Sequence, residues 1–485
     1  MPRFRILIPL GIVLLMALAT VPGRAAEGSA GVTANPNGPL PAAGSAAGAR
    51  QLLSAGQTDQ AERMVRAALA GKADDGLLTV AGEIQFRRAN FDEAAHAYRA
   101  AIALNPDNAR AWWGLGRIEQ AHFRRVSARD FFARAFFLNH RDTDIVLSYA
   151  DFVSEPASQS VLLDNVARLA SFDRPERSAD AAARLQIQQR LQGRRPWRLA
   201  SPYVAYRLAL SGFRPNGSGV AGMLVAARIN GGRPLRLLLD TGARGIVIDS
   251  GAARRLDLET MAASRLGGFG DARRGESRVA LARSVTFGGL ALADCLVEVA
   301  GQSLTAGADG VIGADVFESF RIGVDGRAGI LQLTPYDDSP RDASQVSVPA
   351  IGIGKLLLVK VRVQGGSPGL FLVDTGAAFI MVSWQYLPTA GEAGRLVQMQ
   401  GAQGAIGSAF RTGPLAFEVG GLALADAAPL VMDLRPVSEA QGIEIAGILG
   451  YSTLGKSRFT IDLRNGLLEF PGMAAREMVT RTFTK

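Results

Sequence analysis

Leu237-Leu238-Leu239-Asp240-Thr241-Gly242-Ala243 and Phe371-Leu372-Val373-Asp374-Thr375-Gly376-Ala377 are one pattern written twice, 134 residues apart. Each ends an apolar run with Asp-Thr-Gly-Ala. The likeness extends upstream without a gap, because Met223–Ala243 and Leu357–Ala377 share an alternating strand, a Gly-Gly-x-Pro turn and a second apolar strand. Downstream, Phe287-Gly288-Gly289-Leu290-Ala291-Leu292-Ala293-Asp294 returns as Val419-Gly420-Gly421-Leu422-Ala423-Leu424-Ala425-Asp426. Gly310-Val311-Ile312-Gly313 returns as Gly447-Ile448-Leu449-Gly450, and Arg321–Asp325 returns as Arg458–Asp462. Offsets of 132 to 137 hold throughout, so the region is a duplicated unit. Short alternating strands punctuated by Gly and Pro predict an all-β architecture from residue 196 onward. Two half-sites in one chain predict a pseudo-twofold arrangement in which two carboxylates meet.

The chain has 485 residues, too many for one ordinary core, and its 48% hydrophobic and 20% charged composition is globular. Arg3 and Arg5 precede the apolar run Ile6–Ala19 and the small-residue stretch Gly23-Arg24-Ala25-Ala26. This is the layout of a secretory signal peptide over residues 1–26, with an uncleaved anchor as the alternative. The run falls short of the ~20 residues of a full span, so no membrane span is expected after cleavage. Residues 27–44 read as a linker rich in Gly, Ala, Pro and Asn. Cys295 is the only cysteine; it excludes an intramolecular disulfide and reads as a small core residue. The net charge of +9 is carried by scattered arginines, and no nucleic-acid partner is expected.

Residues 45–195 change to a helical pattern with a period of 34. Leu78, Ala81, Gly82, Ala94, Tyr98, Ala101 and Pro106 recur as Trp112, Leu115, Gly116, Ala128, Phe132, Ala135 and His140. This pattern resembles the tetratricopeptide repeat, an antiparallel helix pair that stacks into a solenoid. The resemblance implies a surface for a protein partner or substrate, or else a spacer for the β region.

In the β region, each Asp-Thr-Gly-Ala follows an apolar strand and is followed 73 and 76 residues later by the glycine of an apolar-apolar-Gly element. This resembles the retropepsin-like aspartic peptidases, with the doubled arrangement of the pepsin-like enzymes, over about residues 220–472. The implied fold is multidomain: an N-terminal all-α tetratricopeptide-repeat solenoid followed by an all-β bilobal aspartic-peptidase fold. Its lobes would occupy 196–340 and 341–485. The resemblance makes Asp240 and Asp374 catalytic, with Thr241 and Thr375 bracing the opposite loop. Gly242 and Gly376 would let the backbone turn tightly and present amide donors to the carboxylates. Two close carboxylates cannot both ionise cheaply, so they share a proton. Ala243 and Ala377 stand where pepsin-like enzymes usually carry Ser or Thr, which removes a hydrogen bond to the ionised pair and should raise its pKa. Glycines at Gly267–Gly270 and Gly401–Gly404 fall where flaps are expected, without the tyrosine typical of pepsin-like flaps.

Exclusion agrees. His96, His122 and His140 all lie in the helical stretch, so Ser-His-Asp, Cys-His and most zinc-hydrolase sites are removed from the β region, and no cofactor or metal is expected. Asp325 and Asp462 read as hairpin formers. Asp315 has Ser452 as its counterpart and Asp249 has Ser383, so neither reads as catalytic. The expected protein is an exported, periplasmic or secreted aspartic endopeptidase that acts on peptide or protein substrates. Its catalytic unit is expected to be monomeric. The alternative is a non-catalytic exported scaffold with a degenerate peptidase domain.

Overall fold

The computed structural model describes residues 45–171, 174–215, 219–268, 275–301, 304, 307–337, 345–364, 366–387, 396–401, 404–426 and 429–471, together with two short strands, Ile12–Val13 and Ala17–Leu18. The rest of the expected signal peptide, the linker 27–44, the flap tips Phe269-Gly270 and Ala402-Gln403, and the lobe junction 338–344 lie outside the described residues. Two compact units emerge. One comprises Val21–Val153 together with Arg435–Glu444; the other comprises Met1–Thr20, Ser154–Leu434 and the chain from Ile445.

The first unit is helical: α1 (Ala46–Ser54), α2 (Thr58–Leu69), α3 (Asp75–Arg87), α4 (Phe91–Leu104), α5 (Ala109–Ala121), α6 (Arg125–Leu138) and α7 (Thr143–Ala150). The sequence period recurs in the way these helices begin and pair. Asp74, Asn108 and Asp142 cap α3, α5 and α7, each accepting a hydrogen bond from a backbone N–H of the first turn. Ala89 and Phe123, in the turns after α3 and α5, both adopt left-handed backbone at φ 61°. Within each pair an aromatic ring fills a notch opened by glycine. A methyl group at Gly82 would lie 2.5 Å from the Tyr98 ring, and one at Gly116 would lie 2.6 Å from Phe132. Tyr98 and Phe132 are wholly buried. Ion pairs Arg50–Glu83 and Arg110–Asp144, and a hydrogen bond from Trp113 Nε1 to Ser148 Oγ, tie α1 to α3 and α5 to α7. A short helix, Arg435–Gln441, belongs to this unit although it comes from the second half of the duplicated region; just after it, Glu444 N–H donates to Arg87 O at 2.6 Å.

The second unit takes the remaining long helices, α8 (Pro156–Leu169) and α9 (Pro175–Leu191), together with the duplicated β region. The stretch read as one helical domain, 45–195, is therefore shared between the units. The physical reason is apolar: Ile187 and Leu191 of α9 bury with Met261, Ala262, Val279, Leu281 and Leu296 of the β region.

Both lobes are woven alike. In the first, Leu235–Leu239 pairs in parallel with Gly310–Ile312, which pairs antiparallel with Ile246–Asp249, itself parallel to Leu290–Ala300. In the second, Gly369–Val373 pairs in parallel with Gly447–Leu449, which pairs antiparallel with Met381–Ser383, itself parallel to Leu430–Met432. Each lobe adds a long hairpin, Glu259–Gly268 with Gly275–Phe287 and Leu396–Gly401 with Gly404–Arg411. The lobes are zipped through the duplicated strands Phe320–Asp325 and Arg458–Asp462, which pair antiparallel about Gly323↔Thr460. Arg321 and Glu469 form an ion pair across this junction at 2.5 Å, with Glu469 almost wholly buried. Asp325 and Asp462 accept backbone N–H bonds within their own turns, from Ala328 and from Arg464 and Asn465, so they shape the hairpins. Among the described residues, no helix is long and apolar enough to cross a membrane.

The glycine notches give the first expected outcome. A methyl group at Gly114 would overlap the same Tyr98 ring. Gly114→Ala should therefore destabilise the helical unit by about 1–3 kcal/mol through overpacking. This runs against the ~1 kcal/mol that alanine gains in helix propensity. Denaturant unfolding of the full chain, followed by far-UV circular dichroism, measures the sign.

Candidate active site

Apolar strands deliver the two aspartates. Leu237, Leu238 and Leu239 are wholly buried, as are Phe371 and Val373, so each strand is fixed on both faces before the chain turns at the carboxylate. The apolar-apolar-Gly elements lie directly behind, as Asp240 N–H donates to Ile312 O at 2.9 Å and Asp374 N–H donates to Leu449 O at 3.0 Å. The closing glycines are a matter of space. A methyl group at Gly313 would lie 2.5 Å from Ala243 O, and at Gly450 it would press into the carbonyls of Ala377 and Phe379.

The threonines join the loops reciprocally. Thr241 Oγ1 donates to Val373 O at 2.7 Å and accepts Thr375 N–H at 3.0 Å. Thr375 Oγ1 donates to Leu239 O at 2.6 Å and accepts Thr241 N–H at 3.2 Å. These four bonds, all buried, link residues 132 to 136 positions apart and hold the two turns face to face.

Gly242 and Gly376 act differently from the sequence expectation. Neither has a positive φ, so left-handed backbone is not what requires glycine. Each lies against the opposite carboxylate: a methyl group at Gly242 would lie 2.7 Å from Asp374 Oδ2, and one at Gly376 would overlap the Asp240 carboxyl. The expected amide donors are present. Gly242 N–H donates to Asp240 Oδ1 at 2.9 Å, while Gly376 and Ala377 N–H groups both donate to Asp374 Oδ1 at 2.8 and 3.1 Å.

Asp240 and Asp374 are both wholly buried, and their Oδ2 atoms receive no hydrogen bond from the rest of the protein. Burial, then the neighbouring Asp374 charge, pushes the Asp240 carboxyl well above its ordinary range. Burial also pushes Asp374 up, to about 6, with the hydrogen bond from Asp240 and the amides of Gly376 and Ala377 pulling back. The pair therefore holds one proton between its two carboxyls through the neutral range. Such a pair can accept a proton from water on one side and donate one to a carbonyl oxygen on the other.

Asp315 and Ser452 differ in type but do one job. Asp315 Oδ1 accepts Gly245 N–H at 2.8 Å, and Ser452 Oγ accepts Ile380 N–H at 3.1 Å, each bracing the chain just beyond its own dyad loop. Asp249 Oδ1 accepts Leu304 N–H at 2.9 Å, also a loop brace. His122 lies in the helical unit, its Nδ1 against Ile118 O at 2.8 Å.

Two outcomes follow from this geometry. Thr375→Val orphans Leu239 O and Thr241 N–H in a buried place, and should lower unfolding stability by at least about 1–3 kcal/mol in denaturant melts. The dyad acts in the opposite direction. The folded Asp374 pKa of about 6 exceeds the unfolded value of about 3.9. Its contribution to stability is then full below about pH 3.9 and is lost as pH rises through about 6. Asp374→Asn should raise the melting temperature relative to the parent chain at pH 7 and leave it nearly unchanged at pH 3.

Comparison with known proteins adds the family. Residues 225–316 and 359–453 match the family described as Aspartyl protease, one match per lobe, and residues 82–120 match the one described as TPR repeat. A stretch of 55 residues is 44% identical to the human protein O-mannosyl-transferase TMTC1; it spans 11% of this chain and 6% of that protein's length. The crystal structure of an aspartic proteinase from Irpex lacteus aligns with 57% of this chain and 99% of its own, at 14% identity and a TM-score of 0.35. Each half of the duplicated β region thus carries its own match to the aspartyl protease family, and a match to the TPR repeat family precedes them in the chain.

Proposed function

We propose that the protein is an aspartic endopeptidase whose dyad, Asp240 and Asp374, hydrolyses peptide bonds with water as nucleophile. The observation that carries this reading is the buried, cross-braced pair of carboxylates, whose burial pushes both above the ordinary carboxyl range. The Asp374 carboxylate takes a proton from water as its oxygen attacks the scissile carbonyl carbon, and protonated Asp240 donates its proton to the carbonyl oxygen. Collapse of the resulting gem-diol breaks the C–N bond. The proton held on Asp374 passes to the leaving amine, and a hydroxyl proton of the gem-diol returns to Asp240, so the dyad ends as it began. Both carboxylates come from one chain, and one chain is the catalytic unit.

The hairpins support an extended peptide as substrate. The backbone of Ile12–Val13 pairs in parallel with Gly267–Gly268 of the first hairpin, and Ala17–Leu18 pairs antiparallel with Met399–Gln400 of the second. An extended stretch of chain can thus add a strand to each hairpin, the mode in which main-chain bonds give affinity. The repeats fit a role in holding a protein substrate or partner. The Arg3 and Arg5 charges, the apolar run behind them and the small-residue stretch Gly23–Ala26 favour export to the periplasm or beyond.

Cleavage of a small unstructured peptide by the full chain tests this reading. Asp240→Asn and Asp374→Asn should each lower kcat by about 10²-fold or more, since one carboxylate cannot serve as both base and acid. The profile of kcat/KM should be bell-shaped, rising with pH through about 6 as the pair becomes a monoanion. It should fall again at higher pH when the second proton leaves. Near-normal turnover by either single variant, or an optimum at pH 3 with no activity at pH 6, contradicts the reading.

A further inference from the structure

The two hairpins are held differently, and the difference lies at a β-bulge. In the first hairpin Glu259 and Thr260 face Leu281 and Ala280, but Ala262 faces Val279, so Met261 is an extra residue in its strand. Bulges kink a strand and re-aim what lies beyond it. Here what lies beyond is the glycine-containing end, Gly267–Gly268, to which the extended backbone of Ile12–Val13 pairs.

Helix α9 grips this bulge. Met261 is wholly buried and packs with Ile187 and Leu191, which are four apart on one face of the helix. Arg190, on the same face, donates from Nη1 to Thr260 O at 2.8 Å, and just past the helix Arg194 lies 3.8 Å from Glu259. The helix is itself anchored at both ends. It packs on α8, and Gln188 Nε2 donates to Pro156 O at 2.6 Å. After it, the chain enters the strand Arg198–Leu199, which pairs with Leu290–Ala300 of the first lobe. The second hairpin also has a register shift, between Met399 and Gln400. The chain ahead of the second lobe is the end of the first lobe, so the duplication supplies no second copy of α9 there.

We propose that α9 pins the first hairpin at its bulge more firmly than the second hairpin is held, so that the first hairpin is a fixed wall of the peptide cleft. Arg190, Ile187 and Leu191 are then positioning residues, acting on substrate through the hairpin and not on the dyad. The proposal rests on the peptidase reading for its meaning in catalysis, but the pinning itself is a property of the folded chain.

Hydrogen exchange of the full chain, read by mass spectrometry, tests the pinning without reference to activity. Amides of 259–264 and 276–283 should exchange at least about tenfold more slowly than those of 396–401 and 404–411. Arg190→Ala, a change on an exposed side chain, should speed exchange in 259–264 while leaving the segments around Asp240 and Asp374 protected; Arg190→Lys, which keeps a donor, should restore protection in part. In the peptide assay Arg190→Ala should raise KM by about tenfold with kcat within about twofold, as expected when binding alone is lost. Ile187→Ala should shift exchange in the same direction. Equal exchange in the two hairpins of the parent chain, or an Arg190→Ala chain with unchanged exchange and KM, overturns the proposal. A parent chain without peptidase activity refutes the function proposed above and leaves the exchange experiment to judge the pinning.

Discussion

The reciprocal bonds between Thr241 and Thr375 set the terms for the rest of the β region. Each hydroxyl donates to a carbonyl of the opposite lobe and accepts an amide from it, so neither loop can move alone without orphaning buried groups on both sides. This brace brings each glycine against the opposing carboxylate and leaves no room for a side chain. It also brings two carboxyl groups together in a place where burial penalises their charge. A shared proton is the low-energy solution. The interlobe pairing of Phe320–Asp325 with Arg458–Asp462 is the larger joint, but it is the threonine brace that gives the dyad its geometry.

Duplication supplied two copies of every part that must be symmetric about the dyad, and the parts that differ are those that serve one side only. Asp315 and Ser452 show how loosely chemistry constrains a brace, since a carboxylate and a hydroxyl accept the same kind of backbone bond. The helical elements add further asymmetry. Helix α9 serves the first hairpin, whereas Arg435–Glu444 leaves the second lobe between two of its strands and joins the repeat unit.

Much of this was legible in the sequence because the signals are local or repeated. Asp-Thr-Gly at the end of a buried strand, the glycine after an apolar pair and the 34-residue alternation of Gly82 and Gly116 with Tyr98 and Phe132 are each fixed by what their immediate neighbours must do. The purpose of Gly242 and Gly376 was less legible. Sequence suggests backbone freedom, whereas the requirement is clearance for the carboxylate of the other lobe, 132 residues from Gly242 and 136 from Gly376. The roles of Arg190 and Met261 were not legible at all: an arginine on an amphipathic helix and a methionine in a strand become partners only through tertiary packing around a bulge. Nor does an apolar helix face reveal which core it joins, so α8 and α9 read as continuing the repeats, yet pack with the β unit.

The central claim is that the two lobes of one chain complete a dyad that shares one proton. Carbon-13 NMR of chain labelled at the aspartate carboxyls measures this without substrate, with the single Asp240→Asn and Asp374→Asn chains assigning the two resonances. Two ordinary aspartates would each titrate separately near pH 3.9. The account requires both resonances to stay flat through that range and to move together in a step near pH 6, with a second step only at higher pH. Two independent titrations near pH 4 would contradict it.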